Sequence, residues 1–528
     1  MESDPAHSEN NRSWESRVAF ESMIAELGQR RAKAQAMGGA EKLARRSAEG
    51  NLNARERLER LVDPGSYVES GLHATSHRPE VADRTPADGK IAGIGLIGGR
   101  KAAIVSNDFT VMGASSSVIN GKKIRQMRDI ATRSGMPLVF LGESGGARMP
   151  DRMGASGRAI LGQDPLEYQR LRQSPWVSAL LGACYGSSTW YACMSDFVVM
   201  RKGAVMAVAS DRVTSMAINQ PVEAEALGGW KLHTEVTGLV DVAVDTDAEA
   251  LAVIKRFLSY LPSHQNELPP KAQAPAAPVG EVEDILDILP ESRHKVYDVR
   301  RIINAIADPG SAFEMKPRFG KSITTSLARL EGHTVGVLAN NPIFKGGAID
   351  VDACDKAIAF MVFCDSFNIP MLFLVDQPGF LVGIEGERRK APAKIMNWMN
   401  ALSQITVPKI SVIMRKSYGQ AYLNMGGGRN SDSVICWPTA DLGFMAPEVA
   451  VNVLYGVKRE DDPNRFQELV EQVNRDSSAW NLAGLYEAQY VIDPRETRSL
   501  VAHLIEVHRT RLGCPIGKHL LANWPTSF

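Results

Sequence analysis

An α/β chain built from two related domains is predicted by three observations. The chain has 528 residues, too many for one ordinary domain and the right number for two of roughly 250. A Pro- and Ala-dense stretch without apolar period, residues 262–281 (PSHQNELPPKAQAPAAPVGE), divides it near the middle. The sequences on either side of that stretch match one another in three ordered blocks.

In the first block RERLERLVDPGSYVE precedes the strand-like run KIAGIGLIGGRKAAIVSND, and VRRIINAIADPGSAFE precedes SLARLEGHTVGVLANN. The second sets KKIRQMRDIATRSGMPLVFLGESGGARM against DKAIAFMVFCDSFNIPMLFLVDQPGFLVG. Each is a helix, a Pro, a short apolar strand, then an acidic residue and a Gly-containing turn. The third sets LLGACYGSSTWYACMSDFVVM against SVIMRKSYGQAYLNMGGG and ICWPTADLGFM. Pro137 and Pro370 are offset by 233 positions, as are Gly186 and Gly419. Asp63 and Asp308 are offset by 245, as are Asp196 and Asp441. Strand–turn–helix alternation with short apolar strands indicates α/β.

Residues 1–13 are polar and expected to be a disordered tail. From Trp14 to about Arg46 apolar residues recur at helical spacing (Val18, Met23, Ile24, Leu27), which predicts an amphipathic arm. Asn53 reads as an N-cap with Glu56 three residues on, and Asp63-Pro64-Gly65 as the stop. The expected domains are then 14–261 and 282–528.

Composition narrows the function. There are 60 basic and 60 acidic residues, so no positive excess exists to displace counterions from nucleic acid. No apolar run reaches the length that spans a membrane. The start, Met1-Glu2-Ser3-Asp4, resembles neither a secretory signal nor a transit peptide, so a cytoplasmic location is expected. Six cysteines form no CxxC pair and have no His at zinc spacing, so they read as reduced thiols and no metal site is expected. No GxxxxGK[ST] loop is present for ATP. Ser144 lies in ESGG rather than in a GxSxG elbow.

What remains is a pair of small-residue turns in each half. The N half has Gly145-Gly146 and Gly186-Ser187; the C half has Pro378-Gly379 and Gly419-Gln420-Ala421. Such turns let a ligand approach the backbone closely. The free N–H groups at a following helix start carry partial positive charge. Two of them aimed at one oxygen form an oxyanion hole. The alternative is that these glycines only make tight turns, but their recurrence at matching places favours the chemical reading. Arg148, beside the first turn, is either a cation for a phosphate or carboxylate or a structural ion pair. Glu143 and Asp376 are expected to bond the backbone of their own turns.

Asn53 to Arg57, Ser106 to Val111, Ser144 to Arg148 and Glu225 to Gly229 with His233 are then recognisable. So are Phe363 to Pro370, Val375-Asp376 with Pro378 to Phe380, Val407 to Lys409, Arg415-Lys416 with Tyr418-Gly419, and Trp437 to Ala440. In these the chain resembles the carboxyltransferase (beta) subunit of biotin-dependent acyl-CoA carboxylases of the propionyl-CoA carboxylase type. The resemblance runs from about residue 15 to 525.

The resemblance implies two crotonase-like domains of the ClpP/crotonase superfamily. Acyl-CoA would lie on the N domain of one subunit, and carboxybiotin would reach it through the C domain of a partner. A hexamer, a trimer of dimers, would result. Biotin would sit on a separate carrier, and coenzyme A would be part of the substrate. A biotin carboxylase and a biotin carrier subunit would be the partners. By family position, Gly186, Ser187, Gln420 and Ala421 would be backbone oxyanion donors. Gly145, Gly146, Ala147 and Arg148 would bind acyl-CoA. Gly379, Phe380, Tyr418, Gly419 and Leu423 would line the biotin-side pocket.

The chain also departs from the family. Leu423 replaces an Asp that helps set acyl preference. The loop 384–392 is about three residues shorter and carries Arg388-Arg389-Lys390. The counterpart 149–162 adds Arg152 and Arg158. These cations either face the cleft or form a solvated turn. Carboxyl transfer from carboxybiotin to the α-carbon of an acyl-CoA is the leading reading. An acyl-CoA decarboxylase using the same cleft and a non-catalytic assembly subunit are the alternatives.

Overall fold

The computed structural model describes residues 5–155, 169–273, 284–290, 292–509, 516–517 and 519–525. Two eight-stranded sheets carry the fold. The first holds β1 (Val68–Ser70), β2 (Lys90–Ile97), β3 (Arg100–Asn107), β4 (Leu138–Ser144), β5 (Trp176–Tyr185), β6 (Phe197–Arg201), β7 (Val205–Ala207) and β8 (Val242–Val244). The second holds β9 (Phe313–Met315), β10 (Ile323–Leu330), β11 (His333–Asn340), β12 (Met371–Gln377), β13 (Lys409–Tyr418), β14 (Ser433–Cys436), β15 (Asp441–Gly443) and β16 (Tyr490–Val491).

Both sheets have the same order. The first runs β1-β2-β3-β4-β5-β6-β8 with β7 joined to β5; the second runs β9-β10-β11-β12-β13-β14-β16 with β15 joined to β13. In each, an antiparallel hairpin (β2–β3, β10–β11) leads into parallel strands. Parallel strands covered on both faces read as unbroken apolar runs, which is why LVFL and MLFLV stood out.

Matched polar devices mark the repeat. The Asp63 carboxylate accepts the N–H groups of Gly98 and Gly99 (3.1 and 2.7 Å), and Asp308 accepts those of Glu331 and Gly332 (3.0 and 2.8 Å). Each Asp thereby closes the tip of its hairpin. Lys123 and Lys356 occupy the same place in the helices Val118–Ser134 and Val351–Ser366. Each buries its ammonium against carbonyls at the start of the sheet, Lys123 on Ala87 and Lys90, Lys356 on Phe319 and Ile323. Burial pulls Lys356 down to about 7 and Lys123 to about 8.

The expected equivalence of Asp196 with Asp441 is not found. Asp196 accepts the N–H of Trp176, which opens β5, and Asp432 accepts that of Lys409, which opens β13 (both 2.8 Å). Asp432 is therefore the counterpart of Asp196. Asp441 instead opens β15.

The capping box at Asn53 and Glu56 forms as expected. The first helix runs Pro5–Gln35, so residues 5–13 of the expected disordered tail are helical, and residues 1–4 lie outside the described residues. The apolar stripe of this arm faces outward: Phe20, Met23 and Ile24 are 63–65 % exposed. Of the expected linker, residues 262–273 run as irregular chain, with Ala272 donating to the Gly332 carbonyl (2.9 Å); residues 274–281 lie outside the described residues.

The two sheets share one apolar core. Phe197 stacks on Phe257 at 4.2 Å, and Phe257 meets Phe313 and Phe363 of the C half at 6.1 and 5.7 Å. A buried ion network braces the N half. Arg57 is fully buried and contacts Glu143 (2.8 Å) and Asp247 (2.9 Å); Arg46 adds a second cation to Glu143, and Arg201 lies 3.3 Å from Asp247. Removing one member leaves buried charge uncompensated, which costs about 3–5 kcal/mol. Arg57→Met should lower the urea midpoint of the N half accordingly, whereas Arg30→Met, in an exposed pair with Glu26, should leave it unmoved.

Candidate active site

The turns predicted to carry chemistry follow adjacent parallel strands: Gly145 to Arg148 follows β4, and Gly186 to Ser188 follows β5. In the first, most backbone groups are committed to the fold. Gly145 donates to the Gly113 carbonyl (2.8 Å), Gly146 to the Ser144 hydroxyl (3.2 Å) and Arg148 to the Ser116 carbonyl (2.9 Å); Ser116 donates back to Gly146 (2.8 Å). A bridge between Ser116 and Ala147 completes the clasp. The C half repeats it at Ile349 and Phe380, where Ile349 donates to Gly379 (3.1 Å) and Leu381 to Ile349 (2.8 Å). Gly146 and Gly379 have φ of +98° and +119°, backbone that only glycine adopts without strain.

Arg148 is 2 % exposed, and its guanidinium pairs with Asp88 at 2.5 Å, with Ser115 and Asp151 beside it. Asp88 also accepts the N–H of Asn120 (3.0 Å), so the pair ties the turn to the helix behind it.

The second pair of turns is nearly superposable by sequence. Gly186 (φ 62°, ψ −116°) and Gly419 (φ 61°, ψ −151°) each precede a helix. Each spends its own N–H on a neighbouring short strand: Gly186 on Ala207 of β7 (3.4 Å), Gly419 on Gly443 of β15 (3.0 Å). The next helical bonds come from Thr189 to Gly186 (3.0 Å) and Tyr422 to Gly419 (3.1 Å). Between them the N–H groups of Ser187 and Ser188, and of Gln420 and Ala421, have no acceptor among the described residues. In the C half the residues without an N–H acceptor are the expected pair, Gln420 and Ala421. In the N half they are Ser187 and Ser188, while the Gly186 N–H is held by β7.

Tyr418 is buried behind the turn. Its ring is 1 % exposed and its hydroxyl donates to Asp441 (2.6 Å), which Arg293 also holds (2.7 Å). It is a buttress behind the turn. Gly379 and Phe380 are half-buried, with Phe380 packed on the main core. Leu423 is half-buried on the face of its helix towards Gly428.

Glu143 and Asp376, at the ends of β4 and β12, do not bond their own turns. Glu143 sits between Arg46 and Arg57; Asp376 sits between Arg415 (2.9 Å) and Lys416 (3.1 Å). Both are buried and doubly paired, and neither is placed to move a proton. Burial beside Glu143 pushes the Cys184 thiol up to about 12, so it is not a nucleophile. Within the short loop, Arg388 pairs with Glu385 (2.7 Å) and Arg389 with Asp352 (2.5 Å), all on the surface. Arg152 donates to the Ser117 carbonyl (3.1 Å); Arg158 lies outside the described residues.

The roles of two residues, Ser116 and His233, had no sequence signal. Ser116, within a run of three serines, reaches Ser187. His233, in a π-helical turn Leu232–Val236, holds the Met206 carbonyl of β7 through Nε2 (2.8 Å) and Thr237 through Nδ1 (3.1 Å). His233 thus supports the strand that fixes Gly186.

Residues 45–518 match the family described as Carboxyl transferase domain, and the chain belongs to that family. It is 33 % identical to the methylmalonyl-CoA carboxyltransferase 12S subunit of Propionibacterium freudenreichii subsp. shermanii, over 96 % of this chain and 98 % of that one. It is 34 % identical to the carboxyltransferase subunit of propionyl-CoA carboxylase from Haloferax mediterranei, over 95 % and 99 %. It is 32 % identical to the methylmalonyl-CoA decarboxylase subunit alpha of Veillonella parvula, over 91 % and 94 %. The transcarboxylase 12S hexamer solved with methylmalonyl-CoA and methylmalonic acid matches with a TM-score of 0.86 at 32 % identity, over 94 % and 98 %. The crotonase-like carboxyltransferase fold expected from the sequence is the fold observed.

Burial lowers the His233 imidazole below its ordinary value, against the opposing pull of the Met206 carbonyl. The unfolded chain therefore binds the proton first, and the stability His233 contributes is lost as pH falls through the ordinary imidazole range to its folded value. Between about pH 7 and about pH 5 the melting temperature of the wild type should fall more steeply than that of His233→Gln. Parallel profiles would remove His233 from this role.

Proposed function

We propose that this chain is the carboxyltransferase subunit that moves a carboxyl group between carboxybiotin, carried on a separate protein, and the α-carbon of an acyl-CoA. The observation that carries this reading is the pair of matching turns, each presenting two adjacent unbonded N–H groups. A reaction that joins two carbonyl compounds needs charge stabilised on two oxygens, the thioester oxygen as the enolate forms and the ureido oxygen as the carboxyl leaves. Two fixed donors at each position supply that stabilisation without reorganisation. Carboxybiotin supplies the carboxyl group and, once relieved of it, the base for the α-proton. No protein side chain near the turns is then required as base, which agrees with the doubly paired Glu143 and Asp376.

On this reading Ser187 and Ser188 hold the acyl-CoA oxygen, and Gln420 and Ala421 of a partner subunit hold the biotin oxygen. The names of the similar proteins support a short acyl-CoA such as propionyl- or methylmalonyl-CoA, and a hexamer, which would be a trimer of dimers. A biotin carboxylase and a biotin carrier would be the partners. The domains would divide at 14–261 and 282–528. Among the described residues no helix is long and apolar enough to cross a membrane, and a cytoplasmic location goes with the reading.

The Veillonella relative, named a decarboxylase subunit, supports running the same cleft towards release of CO2. Methylmalonyl-CoA with and without free biotin separates the cases. Turnover that requires biotin is expected; CO2 release at the same rate without it would sink the carboxyltransferase reading. Pro at the first helical position keeps the helix and removes one N–H. Ser187→Pro and Gln420→Pro should therefore each lower turnover by about 10²–10³ with little change in melting temperature. Gly186 cannot serve for this test, because its φ of +62° excludes Pro.

A further inference from the structure

The two N-half turns touch through a pair of hydroxyls. Ser116, clasped to Gly146 and Ala147 of the first turn, places its Oγ 2.5 Å from the Oγ of Ser187 in the second. One hydrogen lies between these oxygens, so the other hydroxyl hydrogen is left to a third acceptor. Among the described residues neither oxygen has another partner. Both residues are half-buried. Next to them Ser188 is fully buried, and its hydroxyl has no partner among the described residues. The spare hydroxyl hydrogen of the half-buried Ser116–Ser187 pair is the one open to an oxygen from outside the chain.

The C half lacks the arrangement. The positions matching Ser116 and Ser187, each 233 residues on, are Ile349 and Gln420. The Gln420 amide turns along its own helix to Asn424 (3.3 Å). The hydroxyl pair therefore belongs to the acyl-CoA side alone.

We propose that the Ser187 hydroxyl, oriented by Ser116, is a third donor to the acyl-CoA thioester oxygen, beside the N–H groups of Ser187 and Ser188. This rests on the carboxyl-transfer reading above. As the α-proton leaves, the C–S-bearing carbonyl becomes an enolate and its oxygen gains charge. The Ser187 O–H bond to that oxygen strengthens, and no proton is transferred along it. The Ser116 hydroxyl donates into the Ser187 oxygen, which polarises the outer O–H and aims it. Because the interaction grows with the developing charge, it lowers the barrier more than it tightens substrate binding.

The test compares Ser187→Ala, Ser187→Thr and Ser116→Ala with the wild type, using methylmalonyl-CoA and free biotin. All three keep the backbone N–H groups. Ser187→Ala should lower kcat by about tenfold with KM for methylmalonyl-CoA changed less than about twofold. Ser187→Thr restores the hydroxyl and should recover most of the wild-type kcat. Ser116→Ala should give a smaller loss of kcat, because Ser187 still donates but is less well aimed. A Ser187→Ala enzyme at wild-type kcat, or one whose whole loss lies in KM, would overturn the third donor while leaving carboxyl transfer standing. Failure of Ser187→Thr to recover would assign the Ala effect to packing and overturn it as well. A wild type without biotin-dependent turnover would overturn the parent reading and this inference with it.

Discussion

The pairing of β5 with β7, and of β13 with β15, is the constraint on which both reactive turns depend. Each short strand adds three residues beside the last turn of a long one. Its carbonyl takes the N–H of the glycine that ends the strand. That glycine has positive φ, and the next two N–H groups have no acceptor among the described residues. Donors fixed in this way need no rearrangement when charge arrives. The two halves hold the short strand differently. In the N half His233 grips the Met206 carbonyl. In the C half Leu442 donates to the Ser477 carbonyl (2.8 Å), and Tyr418 meets Asp441.

Beneath the turns the fold removes its own titratable groups from the chemistry. Glu143 and Asp376 end strands that point at the cleft, where an acid or base would be expected. Each is locked between two cations. The cleft is left to backbone and hydroxyl donors, which do not change charge over the physiological range. That choice suits a reaction whose base arrives with the second substrate.

Much of this was legible in the sequence, and the failures share a cause. Alternation, the Pro–strand–Gly blocks and the capping box at Asn53 are local and were readable. What could not be read depended on partners far along the chain. Which N–H groups of the N-half turn are left without an acceptor turned on Ala207, twenty-one residues after Gly186 and in a three-residue strand without apolar period. The role of Arg148 turned on Asp88, sixty residues before it. Asp441 was mistaken for the counterpart of Asp196 because the offset drifts from 233 to 236 between the turn and β14. Three extra residues in the Gly426-Gly427-Gly428 segment cause that drift.

One contact joins the two ends of the chain's history. The Arg172 guanidinium, 3 % exposed, donates to the carbonyls of Ala522 and Trp524 (3.1 and 2.5 Å), with Leu521 beside them. These acceptors lie about 350 residues downstream, in the other half of the chain. Within its own half the Arg172 cation meets the Asp196 carboxylate at 3.3 Å. N-terminal domains ordinarily finish folding during synthesis. Here the burial of Arg172 waits for the strip 521–524, which closes over the first sheet from the far half of the chain.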